Sequence, residues 1–437
     1  MRTALERDAM IPRPQPARAG GLAARADGLA ATARPDTDMA RPSLLLPAIL
    51  ALLAVLLIAK TVELTGQDPG RITTLIDFDA FRIAGRLVWR GEIAQAYHFV
   101  TMLEAQRTLG APDAFLPWTY PPVFNLVVAP FAHLPRGLGY LLFTGGTLAA
   151  YIVVLRRLAP QHLGALLALL FPALAVTIAC GQNGFLTGAL VGTACLYLLR
   201  RDPRAGLPLG LMAIKPHLAV GFALHAAMTR DWRTALTAAC VAAASAGLAT
   251  LILGPSIWSA FLGGVAEARV FLEQGLYPLF RMISAYAAVR TLGAPASVAM
   301  AAQVGVALVA LGLVAFAIHR RMPIPQVVGL TALASLLVSP YAYDYDLPIL
   351  GVGLALLAPD LLARATPRER IAVFVLVWVA SGWGLAMTGL LRLWYGAEGL
   401  PLGAMPLSLA GPALMALVGL IWRVLRRRPA IPAAPRS

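Results

Sequence analysis

Residues Leu44 to Ala59 read LLLPAILALLAVLLIA, an uncharged apolar run. A bilayer-spanning helix needs about 20 mostly apolar residues, and this run opens a series of such stretches that continues almost to the end of the chain. It follows a long charged segment and lacks a small-residue cleavage site, so it reads as an uncleaved anchor rather than a signal peptide. On its N-terminal side, residues 1–42 hold seven Arg and five acids among Pro, Ala and Gly. They show no apolar periodicity, which is the composition of a disordered cytoplasmic tail. On its C-terminal side lies the longest polar stretch, residues 61–118, with Asp68, Asp77, Asp79, Glu92, Glu104 and Asp113. It contains helix-like patches such as Phe81 to Arg90. With the tail in the cytoplasm, this first large loop is outside.

The whole chain has the same character. Of 437 residues, 59% are hydrophobic and 13% charged, where a soluble protein is about 45–50% apolar and about 25% charged. A water-soluble enzyme, a DNA-binding protein and a disordered protein are thereby excluded. The net charge of +15 comes from 34 arginines and only two lysines, Lys60 and Lys215. In a polytopic protein such an excess marks cytoplasmic loops rather than a nucleic-acid partner. Cys180, Cys195 and Cys240 each lie in an apolar stretch without metal-ligand spacing and read as small packing residues.

The arginines thread the chain. Arg156-Arg157, Arg200-Arg201, Arg230 with Arg233, Arg320-Arg321, Arg364 with Arg368 and Arg370, and Arg426 to Arg428 are expected to be cytoplasmic. Spans near 162–180, 184–199, 234–253, 296–318, 325–339, 347–362, 371–390 and 406–424 then alternate in direction. The segment 120–155, with Pro130 and Pro135, must cross an odd number of times. The segment 206–228, with Pro216, must return to the side it left. Both are expected to contain broken or re-entrant helices, and such backbone persists at membrane depth only beside protein or a water-filled cavity. The expectation is an all-α polytopic membrane protein of about 10–13 transmembrane or re-entrant helices, with a transmembrane domain over residues 43–425 and a basic cytoplasmic tail over 426–437.

This threading gathers four polar motifs at the outer face: Asp77-Phe78-Asp79, Trp118 to Pro122 (WTYPP), Gly181-Gln182-Asn183, and Tyr341 to Asp346 (YAYDYD). Asp77 and Asp79 are either simply solvated or supply a general base, which must lie within about 2.6–3.2 Å of the proton it takes. Positions two apart point to opposite sides of a strand, or about 200° apart on a helix, so only one of them is expected to face a cavity. Tyr343, Asp344, Tyr345 and Asp346 form either an interfacial aromatic belt with incidental acids or, given the cost of acids near the hydrocarbon boundary, a functional site. Lys215 sits at the tip of the 206–228 hairpin. It either snorkels to the interface or meets an anion, for which a point-charge ammonium suits a phosphate. His217 either satisfies a local hydrogen bond or touches a ligand. Gln182 and Asn183 form a turn or bind a sugar hydroxyl. Tyr120-Pro121-Pro122 is a rigid, non-helical entry to a span, and Trp118 and Tyr120 either stack on a substrate or belong to an aromatic belt. No Walker loop, dinucleotide fingerprint or metal-spaced His/Cys set is present. No cofactor and no metal are therefore expected, and an activated substrate must arrive from the membrane.

Five segments in order, DFDAFRIAGRLVWRGEIAQAYHF from Asp77, FLPWTYPPVFNLVVAPFAHLP from Phe115, ACGQNGFLTGALVG from Ala179, AGLPLGLMAIKPHLAVGFAL from Ala205 and VSPYAYDYDLPIL from Val338, resemble glycosyltransferase family 87. These are bacterial integral-membrane GT-C enzymes that include polyprenyl-phosphate-mannose-dependent α-mannosyltransferases. The resemblance covers about residues 43–425. It implies a GT-C fold in the inner membrane with an active site facing the periplasm, a lipid-linked sugar donor, a lipid or envelope-glycan acceptor, and inversion at the anomeric carbon. The family's catalytic aspartate precedes an aromatic by four residues and an alanine by seven, a spacing that Asp77, Phe81 and Ala84 reproduce. The resemblance thus favours Asp77 over Asp79 as the base. It also places Lys215 on the donor phosphate; in the mechanism read from the residues, an arginine such as Arg82 or Arg281 is a candidate second cation beside it. The late segment, which often carries histidines in the family, has Tyr345 and Asp346 here. Two other readings of the residues stand beside this one: a secondary transporter of an anionic substrate, and a lipid-linked glycan ligase or polymerase.

Overall fold

The computed structural model describes residues 44–66, 75–109, 116–396 and 404–427. The expected N-terminal tail, Asp68, Asp113 and residues 428–437 lie outside the described residues. Within them the chain is helical throughout, with no strand and one isolated antiparallel bridge between Met282 and Tyr343.

The apolar runs become helices because a backbone in hydrocarbon must satisfy its own hydrogen bonds. Five are long and apolar enough to cross a membrane: Leu45–Thr65, Arg136–Leu158, Trp232–Leu253, Ala296–His319 and Pro367–Tyr395. A further pair, Pro160–Leu169 and Phe171–Cys180, is apolar enough to cross together but is bent by 68°, the geometry of a broken span or a re-entrant loop. The bend sits where Pro172 removes one helical N–H and its ring crowds the carbonyl four residues back. Gly184–Leu199, Ile324–Leu336 and Ala410–Leu425 are apolar but shorter, and Pro348–Arg364 packs against them, buried over most of its length. The stretch 120–155, expected to contain broken or re-entrant helices, is broken near its start. A short helical segment, Pro122–His133, ends at Pro135, and the chain then runs unbroken from Arg136 to Leu158. The described part of the first loop is helical where the helix-like patch Phe81 to Arg90 was expected. Its helices Asp77–Trp89 and Phe99–Arg107 bury Phe78, Phe81, Ala84, Leu87 and Met102.

Neighbouring helices alternate in direction. Leu46 packs on Gly164, Leu57 on Gly145 and Thr65 on Gly137, so Leu45–Thr65 runs antiparallel to Arg136–Leu158. Gly206 meets Thr234 and Thr237, and Gly210 meets Ala238 and Val241, so the Gly206–Leu211 helix runs parallel to Trp232–Leu253. The Val220–Thr229 helix joins Trp232 through the two-residue turn Arg230-Asp231 and runs the other way. The segment 206–229 thus enters and returns, with Lys215 at its tip. The arginine turns collect at the opposite end of the helices. There Arg201, Arg230 and Arg321 adopt left-handed φ values of 53°, 56° and 52°, a role usually filled by glycine after a helix. A basic side chain at that position offsets the strain by facing the negative end of the helix dipole.

Candidate active site

The site begins with the entry to the Asp77–Trp89 helix. Ile76 is extended (φ −116°, ψ 166°), and its N–H donates to Asp79 Oδ2 at 2.9 Å, which satisfies a donor that the first helical turn leaves open. Arg136 clamps the same carboxylate, Nε to Oδ1 at 2.7 Å and Nη2 to Oδ2 at 2.5 Å. Asp79 is buried and fully engaged. Asp77, on the other side of the helix, lines the cavity. Phe81, one turn along, sits in an aromatic bed of Trp118, Tyr120, Phe124 and Phe143, with ring centroids 5.1–6.0 Å away. This bed fixes the helix and with it the direction of Asp77.

Lys215 is placed by its successor. Proline disfavours the α conformation in the residue before it, so Lys215 stands outside the helical region (φ −145°, ψ 70°) between two short 3-10 turns, Met212–Ile214 and Pro216–Ala219. Its ammonium donates to Asp346 Oδ1 at 2.6 Å and lies over the rings of Tyr345 (4.9 Å) and Tyr120 (5.8 Å). Asp346 also accepts the Tyr343 N–H at 3.1 Å, which closes the turn that carries it. Tyr343 and Tyr345 stack at 5.1 Å, 12° from parallel.

A second ion pair stands behind this turn. The Met282–Tyr343 bridge and an Ile283 N–H to Ala342 carbonyl bond of 2.9 Å bring Arg281 to Asp344. The guanidinium grips it through Nε (3.1 Å) and Nη2 (2.9 Å) and also reaches the Cys180 thiol at 3.2 Å. Gly181, left-handed at φ +66°, ends the Phe171–Cys180 helix. Gly184 admits the chain opposite it: a side-chain carbon there would overlap the Tyr345 carbonyl oxygen. Between these glycines, Gln182 Oε1 accepts from the Tyr120 hydroxyl at 2.8 Å. The network continues from the Tyr120 carbonyl to the Tyr97 hydroxyl (2.8 Å), Asn125 (3.0 Å) and Trp118 Nε1 (2.9 Å).

These groups enclose a cavity of about 360 Å3. Of the residues singled out in the sequence, Asp77, Tyr120, Gln182, Lys215, His217, Tyr343, Tyr345 and Asp346 line it. The other four do not. Asp79 is held by Arg136. Arg82 is buried on the far side of its helix, donating to the Leu134 carbonyl at 3.3 Å. Asn183 is buried beneath the turn, beside the Tyr120 hydroxyl. Asp344 lies under Arg281. Arg281, rather than Arg82, is the second cation at the cavity. Sequence reasoning passed over Phe261, Val265 and Ala268 on the Ser256–Gln274 helix, and Tyr277 beyond it, which wall the cavity. The signal was available in the apolar spacing of FLGGVAEARVFL between Gly254 and Gly275. The reading of the cysteines as packing residues holds for buried Cys195 alone. Cys240 is exposed, and the Cys180 thiol interacts with both Arg281 and Asp77.

Burial pushes the Asp77 carboxyl above the ordinary aspartate range. The Arg281 guanidinium, the Cys180 thiol and the Gln182 amide pull it back only in part, and the Asp344 carboxylate adds to the rise. Burial also works against the charge on Arg281, but Asp344 and Asp77 outweigh it and hold the guanidinium firmly protonated. The cavity therefore holds the Asp77 carboxyl beside the Arg281 guanidinium and the ion-paired Lys215 and Asp346, with aromatic walls around them.

A polytopic helical protein that gathers a carboxylate, an ammonium and a guanidinium in one pocket has the parts of a membrane-embedded group-transfer enzyme. The sequence pattern of glycosyltransferase family 87 matches residues 118–340, half of the chain, and the protein belongs to that family. It is a membrane glycosyltransferase. Among curated proteins and solved structures, none matches the chain.

Proposed function

We propose that the enzyme moves a hexose, mannose in the first instance, from a polyprenyl-phosphate carrier to a lipid or envelope-glycan acceptor on the extracytoplasmic side of the bacterial inner membrane. Asp77 takes the proton of the acceptor hydroxyl as its oxygen attacks the anomeric carbon. The bond from that carbon to the phosphate oxygen breaks, and the carrier leaves as polyprenyl phosphate. Lys215 and Arg281 face the charge that develops on the leaving phosphate. Removing one such stabilising donor typically costs about 100- to 1000-fold in rate.

The observation that carries this reading is the convergence of Asp77 and Lys215, 138 positions apart in sequence, on one cavity at the end of the helices opposite the arginine turns. The sidedness follows from placing those turns in the cytoplasm. A pocket at the end of the helices opposite the arginine turns, with no nucleotide-binding motif in the chain, suits a donor delivered within the membrane. The test is mass spectrometry of membrane glycolipids and envelope glycans from cells carrying the wild-type protein or Asp77→Asn. The expected result is an acceptor glycan short by one hexose in the variant, with unchanged protein level. Full transfer by the variant removes Asp77 from the role.

A further inference from the structure

Lys215 is already occupied. The residue is 6% exposed, its ammonium is held at 2.6 Å by Asp346 Oδ1, and it lies over the rings of Tyr345 and Tyr120. Asp346 is itself fixed, because its second oxygen accepts the Tyr343 N–H and it is 1% exposed. An incoming phosphate must therefore share or displace a carboxylate that is pre-positioned on its own cation.

We infer that Asp346 is a built-in competitor for the donor phosphate, a positioning residue that holds Lys215 until charge develops on the leaving group. The inference rests on the donor reading above. The donor is a phosphodiester with one negative charge. When the anomeric carbon–oxygen bond breaks, the phosphate becomes a monoester with a second negative charge, while the acceptor proton goes to Asp77 and neutralises it. Total charge in the cavity is conserved, and negative charge moves from Asp77 to the phosphate. A singly charged diester offers Lys215 no more than Asp346 already does. The doubly charged leaving group offers more, so Lys215 changes partner as the bond breaks. Its stabilisation is then larger in the transition state than in the bound substrate, which is the condition for raising turnover rather than merely tightening binding. After transfer, Asp346 reclaims the ammonium and weakens the hold on the spent carrier.

The experiment measures binding of farnesyl phosphate, a short soluble polyprenyl phosphate, to the full-length purified protein and its variants. It is paired with turnover in membranes. In Asp346→Asn the amide oxygen can still accept the Tyr343 N–H, but the competing charge is gone. Farnesyl phosphate should bind about 10-fold more tightly, the scale of one charge-assisted hydrogen bond. Steady-state transfer should slow and show an initial burst of one product per enzyme. Unchanged or weaker binding in this variant would overturn the inference, since a carboxylate that only caps a turn or orients a lysine predicts one of those results. If Asp346→Asn does not fold, Asp346→Ser, which keeps a capping oxygen without the charge, carries the same expectation. Lys215→Met separates the two levels of argument. Its loss of farnesyl phosphate affinity supports the donor reading, whereas unchanged affinity refutes that reading itself. Weaker binding in Lys215→Met without tighter binding in Asp346→Asn overturns the role of Asp346 alone.

Discussion

At the scale of single residues, the proposed chemistry turns on the protonation of Asp77. A general base works only in its ionised form, and burial sets this carboxyl above the ordinary aspartate range. The rate should therefore fall as pH drops through that raised value, and hold steady above it until another group titrates. Arg281 opposes the rise more strongly than Asp344 adds to it. Replacing both, Arg281→Gln with Asp344→Asn so that no charge is left orphaned, should shift the acid limb of the pH–rate profile to higher pH. A profile unmoved by the double change would mean that the guanidinium does not act on the base. Much at this scale was legible in the sequence. The 200° rule for positions two apart already separates Asp77 from Asp79, and Lys215 stands out in a chain that otherwise uses arginine. The partner of Asp79 was not legible, because Arg136 lies 57 positions away and only the folded chain brings it near. The matched family region begins at residue 118 and ends at 340, so the placing of Asp77 and Asp346 rests on the cavity rather than on that match.

At the scale of elements, the site depends on two chain crossings that leave no room for a side chain or for helix. Pro216 keeps Lys215 out of the helix, and Gly184 lets the Tyr345 carbonyl approach. Adding one methyl group by Gly184→Ala forces these backbones apart, and overpacking of this kind costs about 1–3 kcal/mol. A lower melting temperature in detergent, together with weaker transfer, is the expected outcome. Unchanged melting and full activity would show that the crossing has room for a methyl group. Motifs rich in Gly and Pro were readable as turns, but which turn meets which was not, since such contacts join distant positions, 161 apart for Gly184 and Tyr345. The Ser256–Gln274 helix escaped notice for another reason. Its hydrophobic face is interrupted by Gly263-Gly264, and the second of these packs on the Tyr97 backbone.

At the scale of the whole molecule, the arginine turns and the cavity occupy opposite ends of one set of helices, and Ala296–His319 connects the two ends directly. Leu292, 74% exposed, precedes this helix at the cavity end. Arg321 comes just after it among the arginine turns. In a Cys240→Ser background, which removes the exposed native thiol, Leu292→Cys should react with a bulky impermeant maleimide added to intact cells whose outer membrane has been opened. Arg321→Cys should react only after the inner membrane is broken. Labelling of both from one side would contradict the crossing by Ala296–His319. The reverse pattern would leave the fold intact and move the cavity to the cytoplasmic side, where a lipid carrier facing outward could not reach it. Positive charge was the only guide to sidedness in the sequence, and the alternation of helices carries it to the cavity. A carboxylate and an ammonium at the outer end would make both the donor and the acceptor extracytoplasmic, so that one labelling pattern constrains two substrates at once.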